Sequence, residues 1–118
     1  MKYNSRLPIY LQVIDDLKKR IIKEELKPAD QLPSTRELAI EYEVNPNTAA
    51  RIYKEMEQMD ICYVERGKGT FISKSENLIP SLRNEVIDEL VDNFFEQMSE
   101  LGFSGQEIIK KIEEKEIR

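Results

Sequence analysis

Residues 44–57 read VNPNTAARIYKEME, and the two faces of this stretch decide the fold. Asn45 has the side chain of a good N-cap, and Pro46 suits the first helical position, where its missing N–H costs no hydrogen bond. At ~100° per residue, Ala49, Ile52, Tyr53 and Met56 fall within one narrow apolar arc, which predicts burial. Asn47, Arg51, Lys54 and Gln58 line the opposite side, flanked by Thr48 and Glu55. A polar outer face is ordinary on an exposed helix. This one, however, begins at the helix N-terminus, where backbone amides and the helix dipole favour an anion.

Just upstream, "PSTRELAIEYE" predicts a second helix, with Ser34 as N-cap, Glu37 completing a capping box, and Leu38, Ala39 and Tyr42 facing inward. Only the segment around Glu43-Val44 separates the two helices, and so tight a turn makes a helix-turn-helix. Further back, Leu7-Pro8 opens a helix whose apolar residues recur at Ile9, Tyr10, Val13, Ile14, Leu17, Ile21 and Ile22. That stripe stops near Leu26, because Pro28 biases its predecessor out of the α region and "KPADQLP" is rich in turn residues. Downstream, "ICYVERGKGTFIS" has β-formers on both sides of Gly67-Lys68-Gly69, the pattern of a β-hairpin. Three helices followed by a hairpin is the order of a winged helix-turn-helix.

That order gives the polar row a use. In a helix-turn-helix, the N-terminal residues of the second helix meet the base edges of DNA. Asn47 and Arg51 are residue types that pair with bases in a major groove, and Thr48 can bond a phosphate or touch a thymine methyl. Lys54 lies further along, where a phosphate contact is expected. Arg36 sits in the first turn of the preceding helix, outside its apolar stripe, placed to reach a flanking phosphate. Arg66, Lys68 and Thr70 surround a hairpin tip whose Gly67 and Gly69 permit close backbone approach to DNA.

From residue 75 to 77 the chain is polar, and we place a boundary there: a winged helix-turn-helix over residues 1–75 and a helical tail over 76–118. In the tail, Leu82, Val86, Leu90, Val91, Phe94, Met98 and Leu101 mark a long amphipathic helix, its apolar face widened by Ile87 and Phe95. Gly102 suits the left-handed residue past its end. "SGQE" at 104–107 predicts a capping box opening a last helix, with Ile108, Ile109 and Ile112 inward. The long apolar face fits a homodimer, because a two-fold protein places two recognition helices about one DNA turn apart. Its contacts are expected from Leu82, Val86, Leu90, Val91, Phe94, Phe95 and Met98. So short a tail offers little material for an effector pocket, which is then small and shared at the dimer interface, or absent.

Charge supports the division. The 118 residues carry a net charge of −5, yet residues 1–75 hold 13 basic and 12 acidic side chains, while residues 76–118 hold 5 and 11. The acidity belongs to the tail, which leaves the first part free to carry a basic face. The chain has no histidine, so neither a histidine-based triad nor a histidine metal site is available; no enzyme activity, metal or cofactor is expected. "GKGT" lacks the spacing of a phosphate-binding P-loop. The lone Cys62 gives no disulfide framework and reads as a small buried hydrophobe. No apolar run can span a bilayer and no secretory h-region opens the chain, so the cytoplasm is the expected location.

The segments "PIYLQVIDDLKKRII", "LKPADQLPSTRELAIEYEVNPNTAARIYKEME" and "VERGKGTFI" resemble, in order and spacing, the DNA-binding domain of GntR-type bacterial transcriptional regulators. "NPNTAARIYKEME" and the short helical tail are similar to the YtrA subfamily. The resemblance implies a dimeric winged-helix repressor of a palindromic operator, controlling transporter genes. It carries DNA-binding roles onto Arg36, Asn47, Thr48, Gly67, Gly69 and Thr70. Departures are visible: Ala50 and Pro46 stand where many members have a basic reader, and Ala29 and Asp60 where many have glycine. The other use open to such a domain is a winged-helix module that binds a protein through the same exposed helix.

Overall fold

The computed structural model describes residues 1–115, and among them five helices and two strands. In chain order these are α1 (Ile9–Ile22), α2 (Thr35–Tyr42), α3 (Pro46–Gln58), β1 (Cys62–Glu65), β2 (Gly69–Ile72), α4 (Leu78–Glu100) and α5 (Gly105–Glu113). This is the winged helix-turn-helix expected, followed by two helices. The starts of the helices follow local chemistry. Ser34 Oγ accepts the Glu37 N–H while the Glu37 carboxylate accepts the Ser34 N–H, and Ser104 with Glu107 repeats the arrangement at α5. Asn45 caps α3, with Pro46 at its first position.

The ends of the first three helices share one device. Past α1, α2 and α3, the N–H of Glu25, Val44 and Ile61 reaches back to the carbonyl of Arg20, Ala39 and Met56, each at 2.9 Å. This six-to-one bond needs a left-handed residue, supplied by Glu24, Glu43 and Asp60 at φ values of 60, 54 and 60°. After α4 the same position is Gly102, as its sequence context predicts. Ala29 is also left-handed, at φ 71°.

The chain divides into two compact units, Met1–Leu82 and Arg83–Arg118. The core of the first joins Val13, Ile14, Leu17 and Ile21 of α1, Leu38, Ala39 and Tyr42 of α2, Ala49, Ile52, Tyr53 and Met56 of α3, and Leu32, Ile61, Cys62 and Ile72. Each fully buried aliphatic side chain here is worth about 1.5–3 kcal/mol. Leu78 and Leu82 complete this core, so the compact unit runs past residue 75 into the first turns of α4. Ile9, in the predicted stripe of α1, is exposed, because at the helix start it overhangs the core.

β1 and β2 pair antiparallel, with Cys62 opposite Ile72 and Glu65 opposite Gly69. The α1–α2 connector adds itself to this hairpin. Ala29 N–H donates to Ile72 O (3.0 Å), Ile72 N–H to Asp30 O (2.9 Å) and Leu32 N–H to Thr70 O (2.8 Å), with a bridge between Gln31 and Phe71. The connector thereby covers an edge of β2 that would otherwise lack partners. In the second unit, Ile108 of α5 is fully buried. Ile109 and Ile112, expected inward, are 51% and 40% exposed: α5 buries a one-residue line rather than a broad face.

Candidate nucleic-acid interface

The helix-turn-helix is held from behind by tyrosines. Tyr42 at the end of α2 donates its hydroxyl hydrogen to Asp16 Oδ2 of α1 (2.7 Å) and accepts from Arg20 Nη1 (2.9 Å), which also pairs with Glu41. Burial, together with the bond to Asp16, raises the Tyr42 phenol so that it stays protonated as this network requires. The Tyr3 hydroxyl donates to the Tyr42 carbonyl. Tyr53 of α3 donates to the Pro33 carbonyl at 2.5 Å, tying that helix to the connector just before α2. The back of α3 is thus fixed by packing and by hydrogen bonds, and its front is free for contact.

On that front, Asn47, Arg51, Lys54 and Gln58 are all exposed, opposite the fully buried Ala49, Ile52 and Met56. Thr48 is half-buried at the flank. The supply of backbone donors at the helix start is smaller than the sequence implies. Pro46 has none, and the Asn47 N–H is taken by Asn45 Oδ1 at 2.7 Å. Ala49 N–H bonds the Asn45 carbonyl, so the Thr48 N–H is the first-turn amide left for an anion among the described residues. Arg36 is exposed in the first turn of α2, as expected.

Arg51 has a partner that spacing could not show. Its Cζ lies 3.7 Å over the ring centroid of Tyr10 on α1, and its Nε is 3.7 Å from Glu55 Oε1. At the hairpin tip, Gly67 and Gly69 adopt φ values of 79 and 130°, both in the region that favours glycine. Arg66 and Lys68 are exposed and Thr70 is half-buried. The sequence also gave no sign of Gln31. Its Nε2 donates to the Lys68 carbonyl at 2.9 Å, and a Cβ at position 69 would stand 2.7 Å from that nitrogen. Gly69 therefore makes room for the side chain that tethers the tip.

The candidate dimerisation residues are not alike. Leu82 is 3% exposed within the core of the first unit, which removes it from the set, and Val86 is buried at 8%. Leu90, Val91 and Phe94 are 57%, 47% and 40% exposed, and Ile87 beside them 49%. Phe95 and Met98 are half-buried, with the Phe94 and Phe95 rings edge to face. Among the described residues, no helix is long and apolar enough to cross a membrane.

A helix-turn-helix whose second helix is anchored behind and polar in front, followed by a tethered basic wing, defines a winged-helix DNA-binding regulator. Comparison with known proteins makes the class specific. The pattern of the family described as bacterial regulatory proteins, gntR family, matches residues 9–72, and the chain belongs to that family. It is 41% identical over 111 residues to YhcF of Bacillus subtilis (strain 168), described as an uncharacterized HTH-type transcriptional regulator; the match covers 94% of this chain and 92% of that one. It is 46% identical over 71 residues to the HTH-type transcriptional repressor YtrA of the same organism, covering 60% of this chain and 55% of that one. Among solved structures, a GntR family transcriptional regulator from Listeria monocytogenes superposes with a TM-score of 0.86 at 34% identity, covering 97% of this chain and all of the other. The chain is accordingly a DNA-binding transcriptional regulator of the YtrA-like type and not an enzyme.

Proposed function

We propose that this regulator is a cytoplasmic homodimeric repressor that reads a palindromic operator of a transporter operon with the leading end of α3. The observation that carries the reading is the single exposed row of Asn47, Arg51 and Lys54 on a helix whose other face is fully buried. Asn47 and Arg51 contact base edges, with Thr48 at a phosphate or a thymine methyl. Arg36, Lys54, Arg66 and Lys68 meet phosphates, and Gly67, Gly69 and Thr70 bring the wing backbone close to the duplex. The exposed Leu90, Val91 and Phe94, with Phe95 and Met98, form the dimer contact; a two-fold axis there matches the symmetry of a palindrome. The repressor sense is supported by the likeness to YtrA.

Selection of preferred sites from a random duplex pool tests operator reading, symmetry and half-site spacing together. A palindrome with half-sites about one helical turn apart is expected. In the same assay, Arg51→Ala should cost ~1–3 kcal/mol on the selected site and relax one base position. Binding untouched by both Arg36→Ala and Arg51→Ala would remove the assignment of the interface. Leu90→Glu with Phe94→Glu should give a monomer in sedimentation, and a chain still dimeric would place the interface elsewhere.

A further inference from the structure

We propose that Tyr10 is a positioning residue for Arg51: its ring on α1 holds the guanidinium of the recognition helix flat, with the hydrogen-bonding edges left for DNA. This rests on the reading of Arg51 as a base contact. A guanidinium carries its five N–H donors in its own plane, so a partner stacked on its face occupies none of them. The Cζ-to-centroid distance of 3.7 Å is a face contact. Glu55 lies 3.7 Å from Nε, beyond hydrogen-bond length, so it attracts the cation without engaging a donor. No hydrogen bond among the described residues involves the Arg51 side chain.

The platform is itself fixed. Tyr10 is half-buried and packs against the core of the first unit, while Arg51 is 57% exposed in its side chain. A long arginine on a bare helix samples many rotamers and must give them up on binding. With its plane held by Tyr10, it approaches the groove already ordered. This gives α1, which carries none of the residues assigned to DNA, a part in base reading. Tyr10 acts through Arg51 rather than by touching the duplex.

The test is a double-mutant cycle on the full chain, read on the selected duplex and on a scrambled one. Tyr10→Leu should weaken binding to the selected duplex about two- to fivefold, the range for an exposed cation–π contact. The scrambled duplex should be bound as before, and Tyr10→Phe should match the natural chain, because it keeps the ring. In an Arg51→Ala background, Tyr10→Leu should have no further effect. A second readout needs no DNA: the Arg51 Hε resonance should be shifted upfield by the ring and should lose that shift in Tyr10→Leu. Tyr10→Met serves equally if the leucine chain does not fold.

Three results would overturn the proposal: Tyr10→Phe losing as much as Tyr10→Leu, a full loss persisting without Arg51, or an Hε resonance indifferent to the ring. If Arg51→Ala leaves binding unchanged while the Hε shift still depends on Tyr10, the stack exists but the base-reading role beneath it fails, and the proposal with it.

Discussion

Gln31 lies in the turn-rich connector and carries no charge, yet it ties the wing tip to the body of the domain through one 2.9 Å bond to Lys68 O. Gln31→Ala should therefore cost about 0.5–1.5 kcal/mol and speed amide exchange at the hairpin tip, as measured by thermal unfolding and hydrogen exchange. Unchanged exchange would mean that the tip holds itself. Cys62 behaves as a buried hydrophobe, and its thiol donates to the Tyr53 carbonyl. Burial, reinforced by the charge of Glu57, pushes that thiol up to about 11. Because the folded value lies above the unfolded one, this preference stabilises the fold fully below the ordinary thiol range and is lost as pH rises through about 11. At about pH 8, iodoacetamide should label Cys62 only after unfolding, since the thiolate is the nucleophile; rapid labelling of the native chain would refute this. The caps at Ser34, Asn45 and Ser104 could be read in advance because each partner lies two or three residues away. Gln31 and Tyr10 could not, because their partners are brought to them by the tertiary fold.

At the scale of elements, three helices end on a left-handed residue that is not glycine, and each such residue has a Cβ crowded against its own backbone. Glu24→Gly relieves this at φ 60° and should raise stability by about 0.5–1 kcal/mol despite the added freedom of the unfolded chain. A fall in melting temperature would count against that account of the α1 terminus. α4 illustrates what periodicity hides. Its apolar stripe is continuous in the sequence, yet Leu82 lies in a core while Leu90 is 57% exposed. Leu82→Ala should destabilise the winged helix by about 2–5 kcal/mol, the cost of a leucine-sized cavity, and Leu90→Ala should leave its unfolding midpoint nearly unchanged. Equal effects would mean that Leu90 packs as Leu82 does. α5 shows the same limit: three isoleucines at helical spacing do not reveal that Ile108 alone is covered.

For the whole molecule, the total charge of −5 conceals the property that matters. With the acidic excess in residues 76–118, residues 1–75 are left to meet phosphates in the proposed complex, through Arg36, Lys54, Arg66 and Lys68. Binding to the selected duplex should weaken steeply with salt, each phosphate contact adding about 0.9 to the slope of log K against log salt. In a dimer, Lys54→Ala removes two such contacts and should lower the slope by about 2 without changing base preference. An unchanged slope would place Lys54 off the backbone. The winged-helix order and the leading edge of α3 were legible because they rest on local patterns; the extent of the core and the support behind Arg51 arise only when distant segments meet. The pairing of residues 29–32 with β2 carries a last consequence, for exchange between relatives. A wing grafted into this domain as an isolated hairpin would arrive without the connector it is hydrogen-bonded to, and a tip lacking glycine at position 69 would be strained at φ 130° and would push the Gln31 amide off its bond to Lys68. In this protein the transplantable piece is the hairpin together with the connector ahead of α2, and chimaeras should be cut accordingly.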